Sequence, residues 1–190
     1  AGVGAVASQN VTDPLLGPLA LDLMENGMSA VEAIEHVCEQ GKFIEYRQVL
    51  VVDKAGKTAI YSGPNSLGIW TQAQGADVAS GGNMLANDRV PQAMVDSFLA
   101  SSGHLGDRLI SAMRAGLAAG GEAGPLHSAG ILLVDSVAWP VAELRCDWTD
   151  NCPIENIATA WEVYKPQLAA YVQRAIDPRD APSYGVPGDQ

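Results

Sequence analysis

The chain has 190 residues, 47% of them hydrophobic, and carries a net charge of -11. This length and composition exclude a disordered chain and favour a single domain with one sizeable core. The acidic charge repels phosphate backbones and anionic lipid surfaces, so nucleic acid and membranes are poor partners. The sequence contains neither a long apolar run of the kind that spans a bilayer nor an intact signal peptide.

Cysteine usage bears on the compartment. The three cysteines, Cys38, Cys146 and Cys152, are an odd number for a disulfide framework. They favour a reducing, cytoplasmic location. A disulfide between Cys146 and Cys152 across a short loop remains the alternative.

The first half of the chain predicts a buried strand, two helices and a hairpin. Residues 2–8 show no polar face, which is typical of a central strand covered on both sides. A helix follows over residues 13–27, and Ser29 and Glu32 have the spacing of a capping box for the next helix. A turn at residues 54–56 between two β-rich runs predicts a hairpin.

The second half repeats this grouping of strands and paired helices. It predicts a β region over 67–81, two helices between 87 and 120, strands over 128–135 and 139–147, a helix over 154–176 bent at Pro166, and an extended tail over 177–190.

Helices that arrive in pairs between groups of strands do not match the alternating pattern of a doubly wound fold. They predict an α+β fold built as a four-layer αββα sandwich. We expect residues 1–153 to form this domain, and residues 154–190 to be a C-terminal helix and tail packed on it.

The segment GGNMLAND, residues 81–88, is the best local candidate for a site. Gly81 and Gly82 let backbone N–H groups approach a ligand, and Asn83 adds a side-chain amide. Because a helix begins just beyond, the segment can hold an anion or a developing oxyanion. The alternative is an ordinary strand-to-helix loop that needs glycine for its turn.

Among the histidines, His127 is the catalytic candidate, because it enters a strand directly after a loop that contains glycine and proline. Ser128 follows it, but neighbours on a strand point to opposite faces, so the two do not form a simple catalytic dyad. The segment CDWTDNC, residues 146–152, matches no zinc or calcium pattern and predicts a polar turn. Asp147 can still point inward from the strand end and orient another group.

Several segments together resemble a known family. They are AGVGAVASQN, ALDLMENGMSAVEAI, EYRQVLVVDKAGKTAIYSG, the GGNMLA loop, GGEAGPLHSAGILLVD and VAELRCDW. In this order they resemble the family catalogued as domain of unknown function 1028, over nearly the whole chain up to about Pro153. That family is placed in the N-terminal-nucleophile (Ntn) hydrolase superfamily, whose members have the αββα sandwich and mostly hydrolyse amide bonds.

The resemblance implies a mechanism. A Thr, Ser or Cys at the mature N-terminus attacks a carbonyl, its own α-amino group acts as general base, and backbone or Asn donors stabilise the oxyanion. Residue 1 here is Ala1, which has no nucleophilic atom. The resemblance therefore implies an N-terminal hairpin ahead of Ala1, roughly three to four dozen residues long, that carries the nucleophile.

The resemblance also implies positions for the site. Asn83 and Gly82 lie on the oxyanion side, with His127 as a further catalytic candidate, although the family often has Gln at that position. The substrate-binding candidates are Ser8, Gln9, Glu45, Arg47, Gln48, Ser128 and Asp147. Arg47 beside Glu45 is equally well interpreted as a structural ion pair on a strand edge.

Two functions remain open at this point. The first is an Ntn-type hydrolase that cleaves an amide or related C–N bond of a small metabolite and needs no metal or organic cofactor. The second is a non-catalytic binding or scaffold subunit that keeps the sandwich. Both predict a homo-oligomer. A small-molecule substrate is expected for the hydrolase, and a short N-terminal peptide or chain that completes the sheet is a further expected partner.

Overall fold

The computed structural model describes residues 1–183, and the predicted tail beyond residue 183 lies outside the described residues. The strands are β1 (Gly4–Gln9), β2 (Gln48–Asp53), β3 (Thr58–Ser62), β4 (Ile69–Gly75), β5 (Val78–Leu85), β6 (Ala129–Leu133) and β7 (Ala142–Cys146). The α-helices are α1 (Leu16–Glu25), α2 (Ala30–Gln40), α3 (Val90–Ala100), α4 (Leu105–Ala118), α5 (Pro153–Tyr164) and α6 (Leu168–Ile176).

The strands form three small antiparallel sheets, in the orders β1-β2-β3, β4-β5 and β6-β7. The chain is thus an α+β protein. The predicted four-layer sandwich is not evident, because within residues 1–183 each strand pairs only with the strands next to it in chain order, and the three sheets do not merge into two continuous ones.

Two hydrophobic clusters pack helices against these sheets. The first packs α1 and α2 on one face of the β1-β2-β3 sheet, through Ala20, Val37 and Val49. The second packs α4 and α5 on β6 and β7 around Trp161, which has no exposed surface. The β4-β5 sheet lies against the other face of the first sheet and has α3 on its outer side.

Several helix ends follow from local sequence signals. The Ser29 hydroxyl accepts the Glu32 N–H, and the Glu32 carboxylate accepts the Ser29 N–H at 2.8 Å, so the capping box is confirmed. The last helix breaks at Pro166, as expected, into α5, a short 3-10 turn and α6. No helix of the described residues is both long and apolar enough to cross a bilayer.

The structure corrects one prediction and decides between two alternatives. Gly81, Gly82 and Asn83 do not lie in a loop, because β5 continues through them to Leu85 and pairs with β4. All three cysteines are free, so the alternative disulfide between Cys146 and Cys152 is not formed.

Candidate functional site

Amide side chains gather where β1 ends and β2 begins. Gln9 and Gln48 face each other across the two strands, and Gln48 pairs with Ser62 of β3 on its other side. Gln48 is completely buried. A neutral amide in such a place costs free energy unless its donors and acceptors are satisfied, so its partners are informative.

A directed chain of hydrogen bonds runs through Gln48. The Gln9 amide Nε2 donates to Gln48 Oε1 and, at 3.2 Å, to the Gly81 carbonyl of β5. Gln48 Nε2 donates to Ser62 Oγ at 2.8 Å, and Ser62 Oγ donates to Gln72 Oε1 at 2.6 Å. This row of hydrogen bonds joins the β1-β2-β3 sheet to the β4-β5 sheet.

The direction of these hydrogen bonds determines which donor or acceptor remains at each end of the row. Both N–H groups of the Gln9 amide donate hydrogen bonds. Its Oε1 accepts none from the described residues. At the other end, Gln72 accepts through its oxygen and keeps its NH2 group. Gln9 therefore presents an acceptor at the end of β1.

A second amide pair lies beside the first. Asn10 is 5% exposed, and its Oδ1 accepts from Asn83 Nδ2 at 2.6 Å and from the Leu67 backbone N–H at 3.0 Å. Its Nδ2 donates to the Tyr46 carbonyl. Asn83 is half-buried on β5.

The backbone is unusual at the same place. Asn10 and Val11 have φ of 57° and 47°, and Met84, next to Asn83, has φ of 49°. Asn tolerates the left-handed region, but a β-branched residue such as Val11 rarely adopts it. Residues held in this way concentrate at functional sites, which makes the end of β1 the leading candidate.

The two glycines of β5 have packing roles. A Cβ on Gly81 would lie 3.0 Å from Leu50 Cδ2 and 3.3 Å from Gln48 Nε2. A Cβ on Gly82 would lie 2.6 Å from Leu85 Cδ2. Glycine is needed at Gly81 because the two sheets approach closely, a requirement that is independent of any bound anion.

Three further candidates lie around this cluster. The Ser8 hydroxyl donates to the Asp13 carbonyl at 3.3 Å and so stabilises the turn into α1. Glu45 belongs to a short 3-10 turn, Ile44–Tyr46, and Arg47 follows it. Among the described residues no ion pair joins Glu45 to Arg47, and Arg47 Nε is buried without a hydrogen-bond partner.

The remaining candidates contact other elements. His127 Nδ1 donates to the Thr149 carbonyl at 2.9 Å, and its ring stacks on Trp148 with the centroids 4.0 Å apart. Asp147 forms an exposed ion pair with Arg145 at 2.6 Å. Ser128 lines an apolar cavity of about 240 Å³ beside α3 and α4. The structure therefore groups Gln9, Gln48, Gly82 and Asn83 but not His127, Ser128 and Asp147.

Sequence reasoning missed Asn10, Ser62 and Gln72. Asn10 lies two residues beyond the predicted strand and precedes a turn, which is a position where polar residues reach a pocket. The pairing of Asn10 with Asn83 spans 73 positions. No local pattern reports such a contact.

The cluster can bind a neutral polar group. Its side chains are amides and one hydroxyl, which supply fixed donors and acceptors and carry no charge. Asn83 donates one N–H to Asn10 Oδ1. Its second N–H and its Oδ1 have no hydrogen-bond partner among the described residues. That N–H is a suitable donor for a carbonyl oxygen.

Comparisons with known proteins agree on one family. The model of the "Family of unknown function (DUF1028)" matches residues 1–157. Among solved structures, the chain is similar to protein SPO2555 from Silicibacter pomeroyi, which is assigned to the same family. The two are 28% identical with a TM-score of 0.81, over 91% of this chain and 75% of that one. No curated protein matches. The chain therefore belongs to the DUF1028 family of unknown function.

Proposed function

We propose that the intact protein is an Ntn-type hydrolase that cleaves an amide or related C–N bond of a small metabolite, with its nucleophile on a segment preceding residue 1. The observation that carries the proposal is the Asn83 amide. Its Nδ2 donates one N–H to Asn10 Oδ1, and its second N–H has no acceptor among the described residues. Asn83 lies on β5 and contacts Asn10 just beyond the end of β1, where the backbone has positive φ and where Gln9 contacts the same strand.

The arrangement of layers supports this proposal. Helices α1 and α2 cover the first sheet, the β4-β5 sheet lies against its other face, and α3 lies outside that. This helix–sheet–sheet–helix order has the same succession of layers as the αββα sandwich expected for the superfamily, in smaller sheets. Added strands would be needed to extend the small sheets into two continuous layers.

The open edge of β1 is suited to such strands. In the described sheet β1 pairs only with β2, and its residues Ala5 and Ala7 are exposed. A cavity of about 610 Å³ lies beside β1 and is bordered by Leu132, Leu133 and Val134 at the end of β6. A small, apolar and unprotected edge is typical of a strand with a partner. The Silicibacter protein is longer than this chain, which is consistent with an additional segment.

In the proposed reaction, the hydroxyl or thiol of the preceding segment attacks the substrate carbonyl carbon and passes its proton to its own α-amino group. The second N–H of Asn83 stabilises the oxyanion. The C–N bond then breaks, the proton moves to the leaving nitrogen, and water hydrolyses the acyl-enzyme. The protein's own residues supply every step, and the three free thiols support a reducing compartment.

The test uses the full natural chain, including any preceding segment, and a panel of primary carboxamides and N-acyl amino acids. Release of ammonia or amine is measured for the wild type, for Asn83→Ala and for the control Asn151→Ala, which changes an exposed loop residue. We expect Asn83→Ala to lower kcat by about 100-fold and the control to leave it unchanged.

Equal turnover by Asn83→Ala and wild type would refute the role of Asn83. If no member of the panel is hydrolysed and some are bound, the alternative of a non-catalytic binding or scaffold subunit is favoured.

A further inference from the structure

Asn10 has a buried side chain at a strained position. It is 5% exposed, and Asn10 and Val11 are consecutive residues with positive φ at the end of β1. This conformation turns the chain sharply after Gln9. The Asn10 amide can then lie between the turn before β2, the segment before β4, and β5.

The orientation of the Asn10 amide is fixed by backbone groups. The Leu67 N–H can only donate, so it requires an oxygen, and the Tyr46 carbonyl can only accept, so it requires an NH2. These two partners cannot exchange roles. Oδ1 of Asn10 must therefore face Leu67, and Nδ2 must face Tyr46.

The fixed orientation passes to Asn83. Because Asn10 presents an oxygen, Asn83 must turn its Nδ2 toward it, at 2.6 Å. The Asn83 Oδ1 and its second N–H then point away from this contact. Without Asn10, rotation of the Asn83 amide by half a turn would exchange its oxygen and nitrogen at little cost.

From this we infer that Asn10 is a positioning residue, which fixes the Asn83 amide so that an N–H and not the carbonyl faces the reacting oxygen. The inference rests on the proposed function for its catalytic consequence, but the positioning itself is testable without a substrate. Asn83 is the residue that would touch the substrate, and Asn10 acts through it.

Two substitutions at position 10 separate positioning from stability. Asn10→Asp keeps an oxygen for Leu67 and Asn83, whereas Asn10→Gly keeps the positive φ and removes the side chain. Both lose the N–H that Tyr46 requires, so both lower the thermal midpoint. Only Asn10→Gly releases the Asn83 amide.

The first measurement is side-chain NMR on the 190-residue chain labelled with 15N-asparagine, with the Asn83 signal assigned by its loss in Asn83→Asp. In the wild type, one Asn83 amide proton should show the temperature dependence of a hydrogen-bonded group and the other that of an exposed one. Hydrogen exchange of this amide should speed up about fivefold or more in Asn10→Gly, the equivalent of one lost hydrogen bond, and stay within about twofold in Asn10→Asp.

The second measurement is kinetic and uses the full natural chain with a substrate hydrolysed by the wild type. Asn10→Gly should lower kcat by about tenfold or more with little change in KM, because an interaction of the transition state is lost. Asn10→Asp should restore most of kcat.

Equal exchange in the wild type and Asn10→Gly would overturn the inference, as would equal acceleration in both variants. The wild-type spectrum decides the matter even if Asn10→Gly does not fold, since two equivalent Asn83 protons would contradict it. If no substrate is hydrolysed, the proposed function fails while the NMR result still decides the positioning role.

Discussion

Asp53 shows how one buried residue can join three segments of the chain. Its carboxylate accepts the Ala30 N–H at 3.1 Å, the Ala55 N–H at 2.9 Å and the Lys57 N–H at 3.0 Å. The first lies at the start of α2, and the other two lie in the β2-β3 turn. Asp53 thereby joins the start of α2 to the end of β2, the central strand of the first sheet.

The charge state of Asp53 links stability to pH. Burial raises the pKa of Asp53, but the three backbone N–H groups and the nearby Lys57 outweigh it, so the pKa lies below its usual value. A carboxyl group with a lowered folded-state pKa stabilises the protein above its unfolded pKa, near 4. That stabilisation is lost as the pH falls through the folded-state pKa.

We expect Asp53→Asn to lower the free energy of unfolding at pH 7 by about 2 kcal/mol, because one charged acceptor is replaced by an amide that cannot serve all three donors. Denaturant unfolding at several pH values measures this. The difference from the wild type should be constant between about pH 7 and pH 5 and should shrink below about pH 4. The exposed Asp22 has no side-chain hydrogen bond among the described residues, so Asp22→Asn is the control, and a difference that grows in acid would refute the account.

At the residue scale, the sequence predicted amide and glycine positions better than their partners. The site candidates Gln9 and Gln48 bond to each other, and the site candidate Asn83 belongs to a second hydrogen-bonded pair beside them. Asn10 was not, because its role depends on Leu67 and Asn83, which are far away along the chain. His127 is a candidate because it enters a predicted strand directly after a loop, but its ring stacks on Trp148, a contact that no pattern indicates.

At the element scale, helix α4 offers two glycines with contrasting surroundings. A Cβ on Gly106 would lie 2.4 Å from the Trp161 ring, which is fully buried and held by a 2.8 Å hydrogen bond to Asp107. A Cβ on Gly116 would lie 2.8 Å from Met94 Cγ. The Trp161 ring cannot move aside, whereas the Met94 side chain is flexible.

We therefore expect Gly106→Ala to lower the free energy of unfolding by about 2 kcal/mol. Gly116→Ala should change it by less than about 1 kcal/mol, since the gain in helix propensity offsets the shift of Met94. Urea unfolding of both variants gives the comparison. A Gly106→Ala variant as stable as the wild type would mean that α4 and α5 do not pack as described.

Local sequence signals predicted the helices and turns, whereas the strand at Gly81 depends on a tertiary contact. The capping box at Ser29, the turn at Gly56 and the break at Pro166 all act within a few residues. In the segment 81–88, the glycines suggest a strand-to-helix loop. Their small size instead allows β5 to approach Leu50 and Gln48 of the neighbouring sheet, a tertiary requirement.

At the scale of the whole molecule, the fold class followed from the sequence, but the layer architecture did not. Paired helices between groups of strands indicated an α+β protein, as found. How β1, β4 and β6 associate depends on long-range contacts. The three sheets and the open edge of β1 were therefore outside what periodicity can predict.

The central claim is that amide hydrolysis takes place at the end of β1 by a nucleophile on a preceding segment. The most direct measurement is intact-mass spectrometry and peptide mapping of the full natural chain after treatment with a p-nitrophenyl ester as acyl donor. We predict a single acyl group on a terminal Thr, Ser or Cys ahead of residue 1, formed about 100-fold more slowly in Asn83→Ala. An unmodified chain that also releases no p-nitrophenol, or acyl groups spread over lysines and unaffected by Asn83→Ala, would contradict the claim.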